Sequence, residues 1–251
     1  MEKLRKFKTE EEFLNIKNSL EYPQVSLTDD NGKVWVKEKE NYILATFYIT
    51  EDILNSDYPT MIIPDSYSDM VYQTDYIIID DNITLGRYEN EYGEMICESY
   101  YKFDTIGEHT AKIYLLKDAE INGLKLYCGA ISFDFSNFDA SKITSMTGMF
   151  RGCEILTSIT FGDKFDTSNV ITMTEMFGNC RSLTSLDLSS FDTSNVTDMS
   201  SMFDNCRNLT SLDLNGWDIS KVEDGQCAFH RVNNDVVIGV DPTLDIFMCD
   251  E

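Results

Sequence analysis

The 26 residues FDTSNVITMTEMFGNCRSLTSLDLSS that start at Phe165 return as FDTSNVTDMSSMFDNCRNLTSLDLNG from Phe191, with 18 of the 26 letters unchanged. A fixed period in a chain of 251 residues makes successive copies stack, so that each side chain meets its counterpart in the next copy. The unit extends beyond this pair: Phe138, Phe165, Phe191 and Trp217 each open an aromatic-Asp-x-Ser step, at spacings of 27, 26 and 26. Met146, Met173 and Met199 fall in phase, as do Met149, Met176 and Met202, then Phe150, Phe177, Phe203 and Phe229, and finally Cys153, Cys180 and Cys206.

Each unit carries Leu-x-x-Leu-x-Leu, as Leu183, Leu186, Leu188 and again Leu209, Leu212, Leu214, with Ala130, Phe133, Phe135 as a weaker first copy. Its alternating end predicts a short strand with one buried face. Val196, Met199, Met202, Phe203, Cys206 and Leu209 recur three or four apart, which predicts one face of a short helix or a run of helical turns. A strand and a helix in about 26 residues lie within the leucine-rich-repeat range of roughly 20 to 29. One such unit cannot bury its apolar face alone.

The run NVTDMSSMF-x-x-C-x-x-LTSLDL, followed by an aromatic-Asp-x-Ser step, resembles the BspA-like leucine-rich repeats of bacterial surface proteins over residues 130 to 230. The resemblance implies a solenoid used for adhesion or protein binding, in a family not known for catalysis. It identifies a scaffold rather than a ligand.

Residues 1–40 read as a leader. Thr9 with Glu12 is a capping-box signature ahead of Phe13, Leu14, Ile16 and Leu20, Pro23 stops the helix, and Val25 to Val36 reads as a hairpin turning at Asp30-Asn31-Gly32. The order KFKTEEEF, SLEYPQVSL, a turn and KVWV resembles the N-terminal segment of virion proteins from tailed phages of gut Bacteroidetes, which implies a docking element for a capsid or tail. Residues 41–117 alternate strand formers (Tyr42 to Thr50, Met61 to Ile63, Met70 to Ile79, Met95 to Phe103, His109 to Leu116) with turn clusters at the spacing of a β-sandwich. The run YYKFDTIGEHTAKIYLL resembles the last hairpin of immunoglobulin-like modules. Residues 118–251 then hold the repeats, with Ile121, Leu124 and Leu126 expected to close one end of the stack. A strand Val236 to Val240 is expected in register with Leu186 and Leu212 through Ile238, and the acidic end Asp245 to Glu251 is expected to form a polar cap. The expected fold class is mixed β and α/β: an immunoglobulin-like sandwich followed by a short BspA-like leucine-rich-repeat solenoid.

Charge restricts the partners. The 44 acidic and 20 basic side chains leave a net of −24, and residues 41–110 alone carry 14 acidic and 2 basic groups, a balance of −12. Nucleic-acid binding needs a basic footprint, so that class is set aside. No run approaches the ~18 apolar residues of a membrane span. The N-terminus places three glutamates where a secretory signal has its apolar region, so a chain that starts natively here is expected to stay in the cytoplasm or leave by another route; an exported chain has either had a signal removed ahead of Met1 or reaches the outside as part of an assembled particle. The seven cysteines make no metal-type C-x-x-C pair. Cys153, Cys180 and Cys206 lie one rung apart, close enough for a disulfide between two of them, but read foremost as small buried hydrophobes.

The chemistry is sparse. His109 and His230 are the two histidines, and no Ser-His-Asp, Cys-His or phosphate-loop arrangement can be assembled from the sequence. Asp139, Asp166, Asp192 and Asp218, each followed two residues later by Ser141, Ser168, Ser194 and Ser220, form a ladder that reads as turn corners and secondarily as a row of carboxylates for calcium. The candidate binding surface is the outward strand face: Asp134, Thr160, Ser185, Asp187, Ser211 and Asp213. No catalytic, metal or cofactor residue is expected. Together the residues and resemblances predict a non-catalytic binding protein, foremost a phage virion component, alternatively a bacterial cell-surface adhesin. Its expected partners are virion or surface proteins through the leader, a host-surface protein or glycan, and a further copy of itself.

Overall fold

The computed structural model describes residues 26–28, 34–36, 41–63, 74–89, 92, 94–97, 99–116, 126, 129–233 and 237–239. The chain divides into two compact units, Met1–Glu40 and Asn41–Glu251. In the first, β1 (Ser26–Thr28) pairs antiparallel with β2 (Val34–Val36) through Ser26 with Val36 and Thr28 with Val34. The antiparallel pairing is that of the predicted hairpin, whose turn at Asp30-Asn31-Gly32 lies outside the described residues. The expected helix from Thr9 to Leu20 lies outside the described residues.

The second unit begins with β3 (Ile43–Ile49), whose alternation buries Ile43, Ala45, Phe47 and Ile49. A four-residue helix α1 (Glu51–Leu54) follows, its Thr50 hydroxyl accepting from the Ile53 amide at 3.3 Å. Next come β4 (Thr60–Met61), β5 (Thr74–Ile79), β6 (Ile83–Leu85), β7 (Arg87–Glu89), β8 (Met95–Cys97), β9 (Tyr100–Tyr101) and β10 (Gly107–Leu115). The repeats contribute β11 (Ser132–Asp134), β12 (Ser158–Thr160), β13 (Ser185–Asp187), β14 (Ser211–Asp213) and β15 (Val237–Gly239).

Strand order corrects the expected fold class. β3, β10, β5 and β6 do not form one sheet of an immunoglobulin-like sandwich; they belong to a mixed six-stranded sheet, ordered β12-β11-β3-β10-β5-β6, that incorporates the first two repeat strands. In place of a second sheet, the described residues of this region form two short ribbons, β4 with β9 and β7 with β8. The repeats are not a leucine-rich-repeat solenoid of strand-plus-helix units either, because their strands are split between that sheet and a separate parallel one, β13-β14-β15, and their described residues contain no helix. The physical cause of the merger is a shared edge. β3 would leave its outer backbone groups unpaired, and β11 satisfies them antiparallel, Phe133 opposite Ala45, while pairing parallel with β12 on its other side. Ile131 donates to the Thr46 carbonyl at 2.7 Å, and Asp139 donates to Asn41 Oδ1 at 2.9 Å. One continuous core therefore runs from Ile43 and Phe47 through Phe133 and Phe150 to Leu214 and Ala228.

The absence of the expected helix has an equally local cause. Val196, Met199, Met202, Phe203, Cys206 and Leu209 are all buried, as their spacing requires. The backbone between them, however, alternates two kinds of hydrogen bond. Met173, Glu175, Phe177 and Asn179 donate to Asp198, Ser200, Met202 and Asp204 of the next coil at 2.8–2.9 Å, while Met176, Gly178 and Cys180 donate three residues back at 3.0–3.1 Å. A helix would direct every amide four residues back. Two positions per coil also sit in the left-handed region: Gly148, Glu175, Ser201 and Cys227 at φ 63, 53, 53 and 60°, then Gly152, Asn179, Asn205 and Arg231 at 78, 64, 64 and 55°. Such residues cannot continue a right-handed helix. The spacing of three and four residues comes from a chain of tight turns.

Candidate functional site

The stack is held by ladders, and the polar ones form its corners. At the first corner Asp134 Oδ1 accepts from the Ser136 amide at 2.8 Å, Asp187 from Ser189 at 3.0 Å and Asp213 from Asn215 at 3.0 Å. At the second, Asp139, Asp166, Asp192 and Asp218 accept from Ser141, Ser168, Ser194 and Ser220 at 2.9–3.0 Å. These are the turn corners read from the Asp-x-Ser ladder. The third corner, at the bridges linking Ser145, Thr172, Asp198 and Asp224, is one the sequence reading missed. There the Thr147 and Thr172 hydroxyls lie 3.3 Å apart, those of Thr172 and Thr174 2.9 Å apart, and Ser200 Oγ donates to Asp198 Oδ1 at 2.7 Å. The signal was present: Ser-Met-Thr, Thr-Met-Thr and Asp-Met-Ser recur in phase around the buried methionines.

Bonds from the following serine hydroxyl and amide hold the Asp139, Asp187, Asp192 and Asp218 carboxyls below the usual carboxylate range. At Asp198 burial pushes the other way, and the bonds from Ser200 and Thr174 outweigh it. The corners at Asp139, Asp187, Asp192, Asp198 and Asp218 thus favour the ionised carboxylate. Among the described residues, no group of three or more His, Cys, Asp or Glu side chains is placed to hold a metal ion.

The strand face named from the sequence is divided by the fold. Ser185 stands beside Ser211 and Asp187 beside Asp213 in the parallel sheet, whereas Asp134 stands beside Thr160 in the other sheet. Thr160, Ser185, Asp187 and Ser211 are exposed, and Asp134 and Asp213 are half-buried. One oxygen of each of the three aspartates is already engaged by its own corner. The face that remains is polar and hydroxyl-rich, with no aromatic anchor on its six positions.

Inside, the phenylalanines stack: Phe150, Phe177, Phe203 and Phe229 repeat at 5.4, 5.5 and 5.4 Å between ring centroids, with interplanar angles of 7, 4 and 9°. The thiols of Cys180 and Cys206 donate to the Phe150 and Phe177 carbonyls at 3.1 Å, and that of Cys153 to Leu126 at 3.3 Å. These three cysteines are free and buried. Burial pushes the Cys180 thiol well above its ordinary value and Cys206 up to about 12. Leu126 is buried and also donates to the Met149 carbonyl at 2.6 Å, while Ile121 and Leu124, expected to close that end of the stack with it, lie outside the described residues. β15 takes its expected register, with Ile238 opposite Leu212. The acidic end Asp245 to Glu251 lies outside the described residues.

Both histidines meet an aspartate. His230 Nδ1 lies 2.8 Å from Asp204 Oδ1, one coil away. His109 Nδ1 lies 2.6 Å from Asp80 Oδ2, and its Nε2 lies 3.2 Å from the Thr105 hydroxyl, a trio the sequence did not bring together. Nε2 also lies 3.0 Å from the Thr105 carbonyl, and Asp80 Oδ1 accepts from the Thr110 amide at 2.7 Å. The imidazole is therefore bound on both sides by turn backbone and turn carboxylate, and it works as a clasp between two turns.

A protein-family model described as "Mycoplasma protein of unknown function, DUF285" matches residues 124–236. No curated protein and no solved structure matches the chain. The matched stretch takes in the strands β11 to β14 and the three corner ladders, so the similarity lies in the stacked repeats.

Proposed function

We propose that this chain is a non-catalytic binding protein that displays its stacked repeats, foremost as a phage virion component in contact with a host surface protein or glycan. The observation that carries the binding role is how the ionisable groups are used among the described residues: corner aspartates are tied to their own turns, the free thiols are buried, and His109 is clasped between two turns. Such groups hold the scaffold together and leave its outward hydroxyls and backbone edges for recognition. The virion placement is supported by the resemblance of residues 1–40 to phage virion leaders, and the display role by the BspA-like repeat motif. Mass spectrometry of purified phage particles is the test, with the chain expected at a fixed copy number per particle. Recovery from bacterial membrane or secreted fractions alone would reject the virion placement.

A second reading, a bacterial cell-surface adhesin, is favoured by the family match, since that family is described from Mycoplasma, a cellular organism. Antibody labelling of intact cells that carry the gene, in the absence of any phage, decides for it.

A further inference from the structure

The parallel strand ladder of the repeats is broken once. β11 pairs with β12, and β13 pairs with β14 and β14 with β15, but β12 and β13 lie in different sheets. The amides that continue the ladder elsewhere show the difference. Thr157 donates to the Ile131 carbonyl at 2.8 Å, Phe135 to Thr160 at 2.9 Å, Thr210 to Thr184 at 2.9 Å and Leu188 to Asp213 at 2.9 Å. Between the β12 and β13 coils, the equivalent amides of Thr184 and Phe161 have no such bond. On the opposite side of the same two coils every link is intact, including Met173 to Asp198 at 2.9 Å, Phe177 to Met202 at 2.8 Å and the Thr167 hydroxyl with the Asp192 amide at 2.8 Å.

The sequence explains where the break falls. The step from Phe138 to Phe165 is 27 residues against 26 for the later steps, and the extra residue lies in Gly162-Asp163-Lys164, directly after β12. Gly162 is pinned, because a Cβ there would lie 2.4 Å from Ser136 Cα, so the excess length is taken up beside the strand. Phe161 occupies the position of Leu188 and Leu214, and its larger ring packs 4.8 Å from Phe191 and 4.7 Å from Phe165. Ile159, the inward residue of β12, is only half-buried, whereas Leu186 and Leu212 are buried.

We propose that this seam is the flexing point of the stack: the strand side opens between β12 and β13, pivoting on the intact turn side, while the coils before and after it move as blocks. Opening uncovers Ile159, Leu186 and the Phe161–Phe191 contact and breaks no strand-to-strand backbone hydrogen bond, only the Ser182 hydroxyl's bond to the Glu154 carbonyl and the exposed Arg181–Glu154 ion pair, whereas opening between β13 and β14 breaks a parallel ladder at about 1 kcal/mol per bond. Motions that expose few bonded groups come from the low-stability end of local opening.

Thiol labelling, read on the peptide that carries the introduced thiol, tests this; among the described residues the free cysteines Cys97, Cys153, Cys180 and Cys206 are buried. In Leu186→Cys and Leu212→Cys the new thiol takes an inward position that is buried in both cases, and the seam predicts labelling at least tenfold faster at 186. Deleting Asp163, which restores the 26-residue step, is expected to slow labelling of Leu186→Cys about tenfold. Equal rates at the two positions, or no slowing in a folded deletion variant, would overturn the proposal. Should these variants fail to fold, spin labels on exposed strand positions decide: the distance distribution between labels at Ser158→Cys and Ser185→Cys must be broader than that between Ser185→Cys and Ser211→Cys, and equal widths reject the seam.

Discussion

Single residues set the tolerance of each coil. Phe203 is buried between Phe177 and Phe229 at ring spacings of 5.5 and 5.4 Å, so Phe203→Asp places an unpaired charge in the stack. A loss of more than about 4 kcal/mol is expected. Thr210 is exposed, and Thr210→Asp gives up one hydroxyl bond to the Thr184 carbonyl, so its cost stays near 1 kcal/mol. Urea titration of the two variants separates them, and equal midpoints would reverse the assignment of inside and outside. Ser201 gives a prediction of the opposite sign. It holds φ 53° at a site where the first coil has Gly148, and a non-glycine residue in that region costs roughly 1–2 kcal/mol. Ser201→Gly is therefore expected to raise stability by about 0.5–1 kcal/mol after the entropy cost of glycine, read as an upward shift in Tm.

At the scale of the element, the corner is the repeating device, and its chemistry fixes the response to acid. Asp139, Asp187, Asp192 and Asp218 have carboxyls held below their ordinary value by the serine bonds. A carboxyl depressed in the folded state contributes stability that is fully present above its unfolded value, about 3.9, and is lost as pH falls through the folded value. Stability should hold down to about pH 4 and decline below it. In Asp192→Asn, which keeps an acceptor oxygen but no titrating group, that decline is shallower. Thermal melts of both proteins between pH 3 and 7 check this, and parallel curves would show that the corner does not titrate as described.

The corner also marks what the sequence made legible. Asp-x-Ser at a fixed period gave the turns, the stacked Met, Phe and Cys positions gave the core, and Ile238 gave the last register. The helix was misread because apolar residues three and four apart are shared by a helix and by a chain of tight turns. The distinguishing sign, glycines or asparagines at left-handed positions such as Gly148, Gly152, Asn179 and Asn205, was hidden by Glu175 and Ser201 in the same places. The strand face was half legible: alternation shows which side chains point outward. That Asp187 and Asp213 would spend an oxygen on their own turns follows from the residue two positions ahead, Ser189 or Asn215.

At the scale of the whole molecule the decisive contact is the one that alternation cannot show, β3 against β11. A pattern read along the chain marks both as strands but not that residues near 45 and 133 are neighbours, and the two regions consequently read as separate modules. In the folded chain Thr46 stands opposite Ser132 on one side and Thr110 on the other, and its carbonyl accepts from Ile131. A proline in an interior strand removes a ladder bond and crowds its neighbour, so Thr46→Pro strikes the join itself. Because one core runs through the join, hydrogen exchange in Thr46→Pro should accelerate together in β5 and in the distant turn segment from Met199 to Cys206. Thr84→Pro, in the exposed edge strand β6, serves as the control and should leave both protected. If Met199 to Cys206 kept its protection while β5 lost it, the sheet and the repeats would be separate folding units. Their common loss is what a shared edge requires, since the first repeat strand has β3 as its only partner on that side.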